Sequence, residues 1–552
     1  MVANKEEDSF GSDKRNGKPA ATIPRYMRAR YAYSIAAISG ALLSLPFTDV
    51  SSVPAWFALA PVFYLVAVAE TKRRAAGLAA VFALVWTILS FRFIGPQTWC
   101  GVLALSLCTS LYYLAALLAV RALARRGTCS GIFGVAALWI LVELARSRVP
   151  VFGFPWLLLG HATVEYEHLR QGADLLGVYG LSFLLAACNA VLAFVLLPVL
   201  WPQAGAPPGT PLRRRVCAAL AACLLLAGLV YGRWRVAELT PRMVEGPELA
   251  LLQGCVYHKI GRSDDEERAQ LESHLAMHAR AAKASPFGRP PALICWAETM
   301  LPGVYNLDSY GELFRARVKA LGVPTAFGAD WVFEEDKAIS DRVEQRWNNC
   351  AFLMDGQSEI RMRYAKRRLV PFGEYIPGQR TFPFLKLLRS ITRDTYLPGE
   401  APSGVAQVAG CAIAFNVCVE DAHPDLAREA ALDGAEVLLN LTNDGWFAGT
   451  SGPAAHLQAA RLRAVEVRKP LVRVTNSGIS VQIDPLGVAH KPVLESGRSL
   501  EPDTEAIGWA RLRMLDGAAP FRPTLWLGEV GAACLATLVL AAGFWMDRKG
   551  HT

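Results

Sequence analysis

Apolar stretches with almost no charge recur along this chain at 31–48, 51–69, 75–91, 97–120, 128–142, 175–201, 216–231 and 524–546. Each approaches the ~18 residues that a helix needs to cross the hydrocarbon of a bilayer. Inside lipid every backbone N–H and C=O must be satisfied within its own segment, so such stretches are expected as helices. The fifth is short, with Glu143 and Arg146 crowding its end, and the last carries Glu529 near one end. The expectation is a polytopic α-helical membrane bundle of about eight spans.

Charge gives the bundle a direction. The net charge is +9, which could indicate a nucleic-acid binder, but its distribution points elsewhere. Basic residues cluster before the first span (Lys14, Arg15, Lys18, Arg25, Arg28, Arg30), then at Lys72, Arg73 and Arg74, at Arg121, Arg125 and Arg126, and at Arg213, Arg214 and Arg215. Arg548 and Lys549 follow the last span. Every second connection is basic, which is the positive-inside pattern. Both ends then lie in the cytoplasm, and the block 232–523 lies on the other side. The head, 1–30, reads as a polar, disordered cytoplasmic tail, 31–231 as transmembrane helices one to seven, 524–546 as the eighth, and 547–552 as a cytoplasmic tail. No small-x-small cleavage site follows GALLSLPF, and a second span begins at once, against a cleaved signal peptide.

The block 232–523 has a different texture. LALLQG, ALICWAE, CAIAFNVCVE and AEVLLNLTND read as buried strands, and DDEERAQLESHLAMHARAAKA and GPAAHLQAARLRAVEVR as amphipathic helices. Alternation of this kind implies an α/β domain of ordinary size. Chemistry in such sheets gathers where strands end. Glu298 follows one apolar run, Cys418 another, and Asn443 and Asp444 a third. Lys366 sits in a basic strip with Arg361, Arg363, Arg367 and Arg368. Singly, these read as a strand-end carboxylate, a small buried thiol and a solvated charge. Together they supply an acid/base partner, a nucleophile and a cation for developing negative charge, the parts needed for acyl transfer. No GxGxxG or Walker loop and no Cys/His ligand spacing is present, so nucleotide and zinc sites have no support.

At LICWAETMLPG, YAKRRLVPFGEYIPG, FNVCVEDAHPDLAR and LTNDGWFAGTSGPAAHLQAARLRAVE the chain resembles the nitrilase (carbon–nitrogen hydrolase) superfamily. With FGFPWLLLG (152–160) and QGADLLGVYGLSF (171–183) in the apolar half, it is more closely similar to the apolipoprotein N-acyltransferase family. The resemblance implies an αββα sandwich on the membrane bundle, in a bacterial inner membrane with the catalytic domain on the periplasmic side. It implies Glu298 as general base, Lys366 as oxyanion stabiliser and Cys418 as nucleophile. Glu374 and Glu420 match accessory carboxylates, Asn349 in WNNCAFL a site asparagine, and Trp446 and Phe447 a loop beside the site. The implied reaction moves an acyl chain from a phospholipid, phosphatidylethanolamine foremost, through a cysteine thioester to the N-terminal amine of a diacylated lipoprotein. No cofactor, metal or nucleic acid is implied. Two departures touch the lining of the site: Val419 stands where the family has an aromatic residue, and 255–268 reads CVYHKIGRSDDEER. The triad itself leaves two alternatives open, a membrane-anchored amidase or hydrolase and a non-catalytic scaffold or transporter.

Overall fold

A computed structural model describes residues 25–48, 50–126, 130–149, 154–200, 210–256, 263–283, 285–336, 346–377, 396–402, 404–517 and 522–549. The polar head up to residue 24, the end 550–552 and residues 257–262 of the altered stretch lie outside the described residues.

Among the described residues, six of the eight expected spans form helices long and apolar enough to cross a membrane, at Lys72–Ile94, Trp99–Ala124, Ser130–Arg148, Ala173–Leu200, Pro211–Arg242 and Pro523–Met546. The first forms a 20-residue helix, Arg25–Ser44, that runs on into a 3-10 turn at Leu45–Phe47. The second forms a shorter apolar helix, Val53–Val68, which opens on a 3-10 turn with Pro54 in its first positions. The fifth runs past its expected end at 142 to Arg148. Glu143 and Arg146 lie inside it, each with hydrogen-bond partners for part of its polar head. Glu143 accepts from Leu159 N at 2.7 Å and Trp139 Nε1 at 3.1 Å, and Arg146 donates to the Trp156 carbonyl at 2.7 Å. The seventh continues past 231 to Leu239, since no Pro interrupts it before Thr240-Pro241.

The bundle's core is aromatic. Trp86 packs edge-on to Tyr113 at 4.3 Å between ring centroids, and Phe63 packs on Trp139 at 5.9 Å. Its outside is apolar too. Leu103, Leu107 and Leu111, four residues apart on one helix face, are all exposed, as a lipid-facing stripe requires.

Between the last two long helices sits an α/β domain with twelve strands among the described residues: β1 (Met243–Gln253), β2 (Leu293–Trp296), β3 (Thr325–Val332), β4 (Trp347–Met354), β5 (Ile360–Ala365), β6 (Ala406–Val408), β7 (Cys411–Val417), β8 (Val437–Thr442), β9 (Leu471–Thr475), β10 (Val481–Ile483), β11 (Ala489–His490) and β12 (Ala506–Leu515). They make two six-stranded sheets, ordered β12-β1-β2-β3-β4-β5 and β11-β10-β9-β8-β7-β6. Both repeat one pattern: an antiparallel edge, two parallel pairings, then two antiparallel ones.

The inner faces share one core, in which Leu251, Phe327 and Phe352 meet Phe415, Leu439 and Val474. The helices Asp264–Ala281 and Ser309–Leu321 cover the first sheet, where Trp296 Nε1 donates to His278 and Phe314 packs on Trp296 and Phe327. The helices Pro424–Leu432 and Gly452–Val467 cover the second, with Ala460 and Ala464 against Leu438 and Leu471. The membrane bundle lies over that second helix layer. Ala422, Ala455 and Ala459 belong to the bundle's own apolar core. The architecture is therefore an αββα sandwich on a helical membrane half.

Candidate active site

Each expected triad residue stands just beyond a strand. Glu298 follows β2, where the chain turns sharply over β3. At Gly328 of β3 a Cβ would come within 2.6 Å of the Glu298 Cα, so only glycine admits that crossing. Lys366 follows β5 and extends its ladder, its N–H donating to the Asn349 carbonyl at 2.8 Å. Cys418 follows β7 and adopts φ +52°. A left-handed conformation costs an L-residue about 1–2 kcal/mol, so the surroundings must hold this elbow in place.

The polar groups converge. Lys366, 1% exposed, donates from Nζ to Glu298 Oε1 at 3.0 Å and Glu374 Oε1 at 2.8 Å. Asn349 Nδ2 donates to the same two oxygens, at 2.7 and 3.0 Å. Glu374 is held by its own turn, its Oε2 accepting from Val370 N at 2.7 Å. One ammonium thus faces two carboxylates. Burial opposes its charge, but Glu298 and Glu374 outweigh burial and hold the Lys366 pKa well above the ordinary lysine value. Cys418 is buried as well. Burial and then the Glu298 charge push its thiol well above the ordinary cysteine value, against the pull of Lys366. The resting sulfur is a neutral thiol that needs a base in order to react.

Glu420 stands behind the reacting groups. It accepts from Tyr364 Oη at 2.8 Å, from the N–H groups of Arg367 and Arg368 at 2.7 and 3.0 Å, and from Val417 N at 2.8 Å. It thereby ties the segment after Lys366 to the strand that presents Cys418. Trp446 and Phe447 contact the bundle. The Trp446 carbonyl accepts from Gln97 at 2.8 Å, and Phe447 packs on Phe93 and Trp156 at 5.2 and 6.0 Å. Val419 is half-buried and touches both the bundle's core and the sandwich's core. Among the described residues no three His, Cys, Asp or Glu side chains form a metal-ligand set.

Sequence reasoning missed a buried group beneath the elbow, formed by Asn440, Asp421, His456 and Arg473 around Asp444. His456 lies in the quoted LTNDGWFAGTSGPAAHLQAARLRAVE motif, and a lone histidine amid alanines on an apolar helix face was the available signal.

Comparison with known proteins covers both halves. Residues 39–191 match the family described as the apolipoprotein N-acyltransferase N-terminal domain, and residues 249–491 match carbon-nitrogen hydrolase. The chain is 33% identical to the apolipoprotein N-acyltransferase of Geobacter metallireducens, over 94% of this chain and 96% of that one. It is 30% identical to the protein of the same name from Allorhizobium ampelinum, over 74% of this chain and 77% of the other. The similarity thus spans the bundle and the sandwich together.

Proposed function

This chain belongs to the apolipoprotein N-acyltransferase family, and on that footing we propose that Glu298, Lys366 and Cys418 drive its acyl transfer by a ping-pong route through a thioester. It is a multi-pass membrane acyltransferase of the nitrilase superfamily. The observation that supports the triad best is the Lys366 ammonium bonded to both Glu298 and Glu374 beside a thiol that both Glu298 and Lys366 influence.

In the first half-reaction Glu298 takes the Cys418 proton, and the sulfur attacks an ester carbonyl of a phospholipid. The carbonyl oxygen becomes an oxyanion, which Lys366 and backbone N–H groups stabilise. The carbon–oxygen ester bond then breaks, and Glu298 returns its proton to the leaving lysophospholipid alkoxide. In the second half, the N-terminal amine of a diacylglyceryl-cysteine lipoprotein attacks the thioester. Glu298 accepts the amine proton and passes it to the leaving sulfur, giving an amide and the Cys418 thiol. Asn349 and Glu374 hold Glu298 and Lys366 in line, and Glu420 keeps the Lys366 and Cys418 segments in register.

Both substrates are lipids. Exposing an acyl chain to water costs about 0.8 kcal/mol per CH₂, which favours a site seated against a bilayer. Phosphatidylethanolamine is the proposed donor. The basic connections support an inner-membrane protein with 232–523 on the periplasmic side.

Purified protein incubated with vesicles of acyl-labelled phosphatidylethanolamine and a diacylated lipopeptide tests this. Label is expected first on Cys418 and then as an amide on the lipopeptide. Free fatty acid released with no acylated lipopeptide would instead make the protein a hydrolase.

A further inference from the structure

Four fully buried ionisable side chains meet behind Cys418: Asp421 in the turn after β7, Asp444 after β8, His456 on the helix Gly452–Val467, and Arg473 in β9. Arg473 pairs with both aspartates, reaching Asp444 Oδ2 at 3.0 Å. His456 Nδ1 lies 2.8 Å from Asp444 Oδ1 and 3.1 Å from Arg473 Nη2, so the carboxylate is the nearer partner. Its Nε2 lies 2.6 Å from Asp421 Oδ1 and 3.2 Å from the carbonyl oxygen of Cys418. Nε2 donates to the Cys418 carbonyl, and Asp421 Oδ1 lies beside it as an ion-pair contact. The two carboxylates are set against Arg473 and His456, which lets the group stay buried.

This set holds the nucleophile's own backbone. The Cys418 carbonyl accepts from His456 Nε2 and also from Asn440 Nδ2 at 2.9 Å. Asn440 lies two positions along β8 from Leu438, which packs on the covering helix, whereas Cys418 belongs to the core between the sheets. The carbonyl is therefore drawn toward the covering helix. Across a planar trans peptide the C=O and the next N–H point in opposite directions. Holding the Cys418 oxygen outward turns the Val419 N–H inward, to the side of the thiol.

We propose that His456 and Asn440 are positioning residues for acyl transfer: by gripping the Cys418 carbonyl they fix the left-handed elbow and aim the Val419 N–H at the developing oxyanion. The inference rests on the thioester reading above. It predicts a split between two reactions of one sulfur. Acylation by an ester passes through an oxyanion. Alkylation by iodoacetamide does not: a carbon–sulfur bond forms as iodide leaves, and the thiol proton passes to Glu298.

The test follows both rates at Cys418 by mass spectrometry of its peptide, in Asn440→Leu, His456→Ala and His456→Gln. Asn440→Leu spares the ion cluster, and His456→Gln keeps an N–H donor within reach of the carbonyl. In Asn440→Leu and in the folded fraction of His456→Ala, acylation should fall at least about tenfold, part of the roughly 100-fold or more that losing an oxyanion donor costs. Alkylation should stay within about twofold, and His456→Gln should recover most of the acylation. Equal loss of acylation and alkylation, or an Asn440→Leu enzyme that acylates like wild type, would overturn the inference alone. A wild-type protein that alkylates at Cys418 but never forms a thioester there would remove the reading beneath it as well.

Discussion

Glu466 accepts the backbone N–H of Val178 at 2.8 Å. The bond joins the helix over the second sheet to a break in a membrane helix, where Leu176 leaves helical geometry and Gly177 takes φ +65°. Val178 starts a new helical segment, and its N–H has no carbonyl one turn earlier to accept it. A carboxylate from the sandwich fills that place. The same Glu466 pairs with Arg463 at 2.7 Å, and Arg463 reaches the Ala422 carbonyl at 3.2 Å, four residues past the nucleophile.

Replacing Glu466 by Ala should therefore weaken both halves together. It strands a buried N–H and leaves Arg463 without its anion, a loss of about 3–5 kcal/mol. Thermal unfolding in detergent should show a large drop in midpoint, and Glu466→Gln, which keeps an acceptor, a smaller one. Equal midpoints for Glu466→Ala and wild type would mean that the bond contributes nothing.

Asn349→Asp should silence the first half-reaction. The amide now donates to both Glu298 and Glu374, and a third carboxylate in its place would raise the proton affinity of the whole group. A carboxyl group that already carries a proton cannot take one from the thiol, so the sulfur stays neutral and unreactive. The burst of thioester should fall by about 100-fold, the scale of a lost general base. A burst within twofold of wild type would show that Asn349 does not govern the base.

Glu420→Gln should separate positioning from chemistry. The substitution sets an NH₂ among donors from Tyr364, Arg367, Arg368 and Val417. Hydrogen bonds to a charged acceptor contribute about 1.5–3 kcal/mol each, so stability should fall. The surviving folded enzyme should lose turnover, with lipid binding little changed. If binding weakened while turnover held, Glu420 would belong to the substrate pocket instead.

The buried cluster gives stability a pH window. Burial and Arg473 push His456 down, but Asp421 and Asp444 outweigh them and leave its pKa above the ordinary value. Its stabilisation is therefore complete below the unfolded value of about 6.5 and is lost as pH rises through the raised one. Asp444 behaves oppositely. Burial raises it, yet His456 and Arg473 depress it overall, so its contribution is present above about 3.9 and is lost as pH falls further. Melting midpoints measured from pH 5 to 9 should decline on the alkaline side. In Asp444→Asn, which strips one anion from His456, that decline should begin at lower pH. An unchanged alkaline limb would mean that His456 does not titrate there.

The two kinds of site residue differed in how visible they were in the sequence. Glu298 and Cys418 sit where apolar strands end, and a buried strand announces itself as an apolar run stopped by a polar residue. Lys366 follows the basic, half-exposed strand IRMRYA and is legible only through its motif. Asp421, His456 and Arg473 give no such signal. Arg473 stands in the middle of a strand that is buried along its whole length, LVRVT, where pattern reasoning expects no charge. Its partners lie 52, 29 and 17 positions away, so no spacing connects them. The spans show the same limit from the other side. Composition finds all eight apolar stretches, but not that the first helix begins at Arg25, inside the basic head, or that the second opens on a 3-10 turn at Pro54.

The pairing of Met243 with Leu515 joins the first residue of β1 to the last of β12. Until β12 is synthesised, roughly 270 residues later, β1 has one edge with no partner, and such long-range pairing is slow to form. The ribosome will have made the nucleophile and its supporting cluster before the sheet that carries Glu298 can close. The helix Pro523–Lys549 is made next. Strand closure and insertion of that helix thus fall nearly together, and a chain cut before residue 506 would leave β1 as an open template for aggregation.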